Sequence, residues 1–98
     1  MITLSGVITR IFETKEFNNF PKRVFWLDDK AEKFGNEWEL MLWKKDVEMI
    51  DNYKVGDFVT VYIDIKGSKW VGRDGEERVT NTLKCWNIEK DGQLFKPI

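Results

Sequence analysis

Trp26, Trp38, Trp43, Trp70 and Trp86, with seven phenylalanines, are the chemically conspicuous residues of this 98-residue chain. Flat rings fill cores, take cations over their faces, or stack on other planar groups. Several stand beside cations: Lys22 precedes Trp26, Lys44 and Lys45 follow Trp43, and Lys69 and Arg73 flank Trp70. Rings interleaved with lysine and arginine suit a ligand that is both planar and anionic, as unpaired nucleotides are. A core this small cannot absorb so much ring surface, so some rings are expected outside it.

Catalytic chemistry is poorly supplied. There is no histidine, which removes Ser-His and Cys-His nucleophiles and His-ligated metals. The one cysteine, Cys85, supports neither a cysteine-rich zinc site nor an intrachain disulfide, and its alternation with Leu83 reads as a buried small apolar residue. Asp28 and Asp29 are strand neighbours facing opposite ways, so they cannot share a substrate. Gly67, Gly72 and Gly75 do not have the spacing of a phosphate-binding loop. A non-enzymatic protein without cofactor or metal is expected.

The elements that must position the rings read mainly as strands, in one domain spanning residues 1–98. Residues 2–12 are rich in β-branched side chains, with a bend or bulge expected at Gly6. Residues 13–21 are polar, end in Pro21, and read as a loop carrying Phe17 and Phe20. In strand 22–28, Phe25 and Leu27 share one face, and Val24 and Trp26 the other. Lys30, Glu32 and Lys33 lie in a charged connection that ends at Gly35-Asn36. Strand 37–43 sets Trp38, Leu40 and Leu42 against Met41 and Trp43. Residues 44–53 change period, with Val47, Ile50 and Tyr53 recurring as in a short amphipathic helix, stopped at Gly56. Strand 58–66 alternates strictly through Val59, Val61, Ile63 and Ile65. Residues 67–78 read as a long flexible hairpin loop and 79–89 as the last strand, with Trp86 placed in the core beside Ile88. Leu94, Phe95 and Ile98 of the tail are read as docking on the body.

Five strands with one helix between the third and fourth match an all-β, five-stranded Greek-key OB-fold barrel. The chain also resembles small bacterial and phage OB-fold proteins related to single-stranded-DNA-binding proteins. The resemblance is carried by Ser5-Gly6-Val7-Ile8, Lys22-Arg23-Val24-Phe25-Trp26-Leu27, Leu40 through Asp46, Asn52 through Asp57, and Leu83-Lys84-Cys85-Trp86. It implies sequence-tolerant binding of single-stranded DNA, or RNA, in replication or recombination. It also implies assembly as a homodimer or homotetramer and contact with replication or recombination proteins. The bacterial proteins carry an acidic tip that recruits partners; Gln93 to Ile98 contain none, so recruitment by that route is not expected.

OB-folds bind on the outer face of the second and third strands, flanked by the first and last hairpin loops. The expected site is therefore Trp26, Trp43, Trp70, Phe17 and Phe20 for stacking, with Lys22, Lys44, Lys45, Lys69 and Arg73 for phosphates. Each has a plainer reading: Trp26 covering a barrel end, Trp43 packing on the helix, a phenylalanine plugging the barrel mouth, lysines merely solvated. The acids Asp74, Glu76 and Glu77 work against the last loop as a phosphate cradle. Net charge is −1, but residues 46–64 hold five acids and one base, leaving a positive balance elsewhere. A protein-interaction module without nucleic-acid binding suits exposed rings and strand edges equally well. No apolar run reaches the roughly 20 residues that span a bilayer, and MITLSGVITR lacks a signal peptide's order, so a cytoplasmic protein is expected, in host cytoplasm if phage-encoded.

Overall fold

Alternating side chains place the strands in one sheet that curls until its ends meet. The computed structural model describes residues 1–29 and 35–90, so the readings of Lys30, Glu32, Lys33 and the tail lie outside the described residues. Its strands are β1 (Ile2–Ile11), β2 (Lys15–Phe17), β3 (Phe20–Asp28), β4 (Glu37–Trp43), β5 (Phe58–Val71) and β6 (Glu77–Lys90). They neighbour one another in the order β1-β5-β6-β4-β3-β2, and a further β1–β3 pairing closes the ring. β4 and β6 run parallel where Met41 meets Lys84, and the other pairs are antiparallel. This is the OB-fold barrel, with β2 added as a short flap.

The flap corrects the loop expected over 13–21. Asn18 and Asn19 have φ of 53° and 62°, the pair of left-handed residues that a two-residue type I′ hairpin needs. Phe17 and Phe20 are backbone partners across that turn.

Closure depends on β1 serving two neighbours. Its first half pairs with β5 from Ile2 to Val7, and its second half with β3 from Val7 to Ile11. At the hand-over, a Cβ on Gly6 would stand 2.3 Å from the Asp28 carbonyl oxygen and 2.8 Å from Asp29 Cα. Glycine is required there by close backbone approach. The bulge expected at Gly6 instead falls at Thr9, between the paired residues Ile8 and Arg10.

The interior is almost wholly aliphatic. Phe25 and Leu27, Leu40 and Leu42, and Val59, Val61 and Ile63 are buried as their alternation requires. Phe25 is the only ring in the buried core of the described residues. Ile65, though in phase with Ile63, is 59% exposed because β5 has by then left the barrel. Trp38 is only half-buried and donates its Nε1 hydrogen to Asp29 Oδ2 at 2.8 Å.

Trp86 overturns its core assignment. Tyr62 pairs with Asn87 and Ile63 with Cys85, so Trp86 is the extra residue of a β-bulge. The bulge shifts the alternation by one: Cys85 and Ile88 both point inward, and Trp86 is 40% exposed.

The helix is 3₁₀ over Lys44–Asn52. Val47, Ile50 and Tyr53 recur at intervals of three, the 3₁₀ repeat, which stacks them along one line against the barrel end. Arg23 ties this end together. Its guanidinium donates to the Phe12 and Val47 carbonyls at 2.8 and 3.2 Å and pairs with Asp51 at 2.7 Å.

The flexible loop expected at 67–78 is instead paired backbone. β5 and β6 stay in register out to Val71 and Glu77, leaving only a tight turn in which Gly75 has φ 83°. Beyond Asp64 this two-stranded arm runs roughly 25 Å from the barrel, at about 3.3 Å per residue.

Two outcomes are expected. Gly6→Ala should destabilise the fold by the upper part of the roughly 1–3 kcal/mol cost of overpacking, read as a lower urea midpoint, and an unchanged midpoint would show that β1 and β3 do not approach so closely. Burial pushes the Cys85 thiol from 9.0 up to about 12. Native protein should therefore resist a thiol reagent at pH 8 and react once unfolded. Between pH 9 and about 12 only the unfolded thiol ionises, so stability should fall with rising pH, and Cys85→Ala should flatten part of that fall.

Candidate nucleic-acid interface

With Phe25, Leu27, Leu40 and Leu42 inside, β3 and β4 must present Lys22, Val24, Trp26, Glu39, Met41 and Trp43 outward. Register sets Lys22 beside Trp43, Val24 beside Met41, and Trp26 beside Glu39. Neighbouring strands widen the face: β2 adds Lys15 opposite Lys22, β1 adds Arg10 opposite Trp26, and β6 adds Lys84 opposite Met41.

One end of this face is aromatic and cationic. Phe20 meets Trp43 edge-on, with centroids 5.7 Å apart. Lys22 Nζ lies 5.7 Å from the Phe20 ring and 5.8 Å from Trp43. Lys44 Nζ is 5.2 Å from Phe20, and Lys84 Nζ is 5.2 Å from Trp43. Asn18, Phe20, Lys22 and Trp43 line a depression of about 360 Å³ here. The Trp43 Nε1 hydrogen is buried and finds no acceptor among the described residues.

Lys44 reaches this cluster from a left-handed backbone, φ 55°. That conformation costs a non-glycine residue about 1–2 kcal/mol, and strain of this kind gathers at functional sites.

The other end is mixed in charge. Phe12 packs edge-on to Trp26 at 5.1 Å, and Arg10 Cζ lies 4.7 Å from the Phe12 centroid and 5.4 Å from Trp26. Trp26 Nε1 donates to Glu39 Oε2 at 3.0 Å. Glu13, Glu16 and Glu39 line the adjoining groove of about 390 Å³, with Lys15 and Lys22. The two indoles stand four strand residues apart, about 13 Å.

The arm carries Trp70, 47% exposed, roughly 20 Å beyond the barrel rim. Its Nε1 donates to Thr80 Oγ1 at 2.8 Å, and Arg78 Cζ lies 5.7 Å from the ring. By alternation Trp70 and Arg78 share the ribbon face of Lys84. Lys69 is on the opposite face, paired with Glu77 at 2.9 Å.

The structure thus gathers Phe20, Lys22, Trp43 and Lys44 into one cluster, and Phe17 stands beside it in backbone register. It sets Trp26 at the far end of the same face and Trp70 out on the arm. Lys45 instead borders a depression with Asp46, Glu48 and Asp51, and Arg73 is exposed at the arm's tip. Sequence reading missed Arg10, Phe12 and Lys84. The first two are turned by the Thr9 bulge, and Lys84 arrives through a long-range parallel pairing, so neither left a local signal. Among the described residues no cluster of three or more His, Cys, Asp or Glu could hold a metal, and no helix is long and apolar enough to cross a membrane.

A family model described as a domain of unknown function, DUF3127, matches residues 3–89. The chain belongs to the DUF3127 family. Two crystal structures of the mitochondrial single-stranded DNA binding protein Rim1 from S. cerevisiae share the fold of this DUF3127 domain. One superposes with a TM-score of 0.58 at 17% identity, covering 91% of each chain. The other, from selenomethionine-labelled protein, gives 0.53 at 18% identity over 90% of each. No curated protein matches the sequence significantly. At such identities the likeness establishes the fold.

Lys44→Gly tests the strained position. Relief of about 1–2 kcal/mol should outweigh the roughly 0.5–1 kcal/mol entropic cost of glycine, leaving thermal stability equal or higher. A clear drop in melting temperature would mean that Lys44 is held for packing.

Proposed function

We propose that this domain binds single-stranded DNA with little sequence preference, by stacking and phosphate contact, in replication or recombination. The supporting observation is the Phe20–Trp43 pair with Lys22, Lys44 and Lys84 around it on the outer face of an OB-fold. Rings take unpaired bases in any sequence because every base has a π face, and the lysines meet the phosphates between them. The similarity to proteins described as single-stranded-DNA-binding agrees with this reading. The role is binding rather than catalysis. A homodimer or homotetramer, and replication or recombination proteins as partners, belong to the same proposal.

The reading ranks the candidates. Trp43, Phe20, Lys22 and Lys44 come first. Trp26, already bonded through its N–H to Glu39 and with Phe12 and Arg10 against its ring, comes second. Trp70 with Arg78 would close on a strand leaving the barrel. Lys69 is already neutralised by Glu77, and Lys45 stands among acids.

The alternative, a protein-interaction module, is favoured by one observation. Ile65, Val71 and Val79, 59%, 63% and 67% exposed, lie on one face of the arm, an apolar stripe of no use to a polyanion. If this reading holds, a protein partner captured from nuclease-treated lysate should be lost on Val71→Lys with Val79→Lys, with no effect of oligonucleotide.

Titration of oligo(dT) against tryptophan fluorescence tests the proposal. Quenching is expected, and three phosphate contacts give a salt slope of about −2, so affinity should fall roughly 16-fold between 50 and 200 mM salt. Trp43→Ala should weaken binding by about 5- to 150-fold, Trp26→Ala less, and Lys44→Gly should weaken it without destabilising the fold. Absence of quenching at low salt, or equal binding of duplex DNA, overturns the reading.

A further inference from the structure

Trp86 is an exposed ring that the face described above does not use. The β6 bulge turns it outward, and bulges commonly re-aim a side chain beside a functional site. It does not lie alone. The Tyr62 ring of β5 packs against it with centroids 5.3 Å apart, and the Tyr62 hydroxyl is held by Glu89 Oε1 at 2.5 Å. The result is a two-ring platform whose tyrosine is anchored by a hydrogen bond to Glu89.

Its place on the barrel gives it meaning. Met41 and Lys84 are partners in the parallel β4–β6 pair, and two residues further along each strand stand Trp43 and Trp86. Both point outward, since Leu42 and Cys85 beside them are fully buried. Lys84 lies between, its Nζ over the Trp43 ring. A row of outward side chains therefore crosses the strands: Lys22 on β3, Trp43 on β4, Trp86 on β6 and Tyr62 on β5. Such a row, perpendicular to the strands, lets a strand of nucleotides pass from one ring to the next.

We infer that the nucleic-acid track crosses β6 and that Trp86, backed by Tyr62, is a second stacking platform for unpaired bases. The inference rests on the single-strand-binding reading and extends it from one site to a path. The carboxylates of Asp64 and Glu89 flank Tyr62 on this outer face, so the platform's contribution comes from stacking and not from phosphate contact. It should add affinity only to strands long enough to reach it, and without steepening the salt dependence.

The test compares two oligo(dT) lengths, about 4 and about 16 nucleotides, the limits of single OB-fold sites. Trp86→Ala should leave the short oligomer within about twofold and weaken the long one by roughly 5- to 150-fold at unchanged salt slope, with Trp86→Phe restoring most of the loss. Trp86→Thr, which keeps strand propensity, serves if the alanine variant melts early. If Trp43→Ala weakens both oligomers while Trp86→Ala weakens neither, the platform is refuted and the binding function stands. An equal loss on both lengths places Trp86 inside the first site and overturns the extension. Wild-type protein that binds neither oligomer removes both.

Discussion

The structure depends on one strand being shared. β1 pairs with β5 through its first half and with β3 through its second, and Gly6 at the crossing allows the backbones to close to a distance no side chain would tolerate. Closure turns a sheet into a barrel, and a barrel imposes one inside and one outside on every strand. The inside is narrow and is filled by Ile8, Leu27, Leu40, Leu42 and their β5 neighbours, with Phe25 as the only ring among the described residues. The remaining described rings are forced to the wall or beyond it. Aromatic exposure here follows from the shortage of interior volume, and the face that results is available to a planar ligand.

Charge then divides that face. Three lysines from three different segments, Lys22, Lys44 and Lys84, converge on the Phe20–Trp43 pair. Mutual repulsion opposes such a gathering, and the left-handed Lys44 backbone adds its own cost. The fold sustains both because β3, β4 and β6 are fixed by the core behind them. At the other end Glu39 accepts the Trp26 indole hydrogen, which orients the ring and also sets a carboxylate where a phosphate would be repelled. Net charge averages these two ends to almost nothing and hides the contrast.

Much of this could be read in the residue order, and the misreadings have specific physical causes. Strict alternation marked the faces of β3, β4 and the barrel part of β5. It failed at Trp86 because a bulge changes the phase without changing the sequence pattern, so Trp86 looked like a partner of Ile88. The Asn18-Asn19 pair is a hairpin signal, masked by polar neighbours that share the composition of a loop. Glycines and charges at 67–78 resemble the turn chemistry of a loop, although only 72–76 turn. Val47, Ile50 and Tyr53 spelled out a period of three, which distinguishes 3₁₀ from α once it is given weight.

Sequence alone determined that the chain is an all-β barrel with a helix between its middle strands and that its rings outnumber the places inside. It also marked residues 22–28 and 37–43 as a hairpin with Trp26, Met41 and Trp43 on its non-core face, since that follows from strand alternation. The tertiary structure decided the rest: Lys84 joins them from forty residues away, Glu39 blunts Trp26, and Trp86 faces outward. Those relations are set by which strands pair and where a bulge shifts the phase. Pairing is a long-range choice, fixed by closing the barrel on its core, and no window of neighbouring residues encodes it.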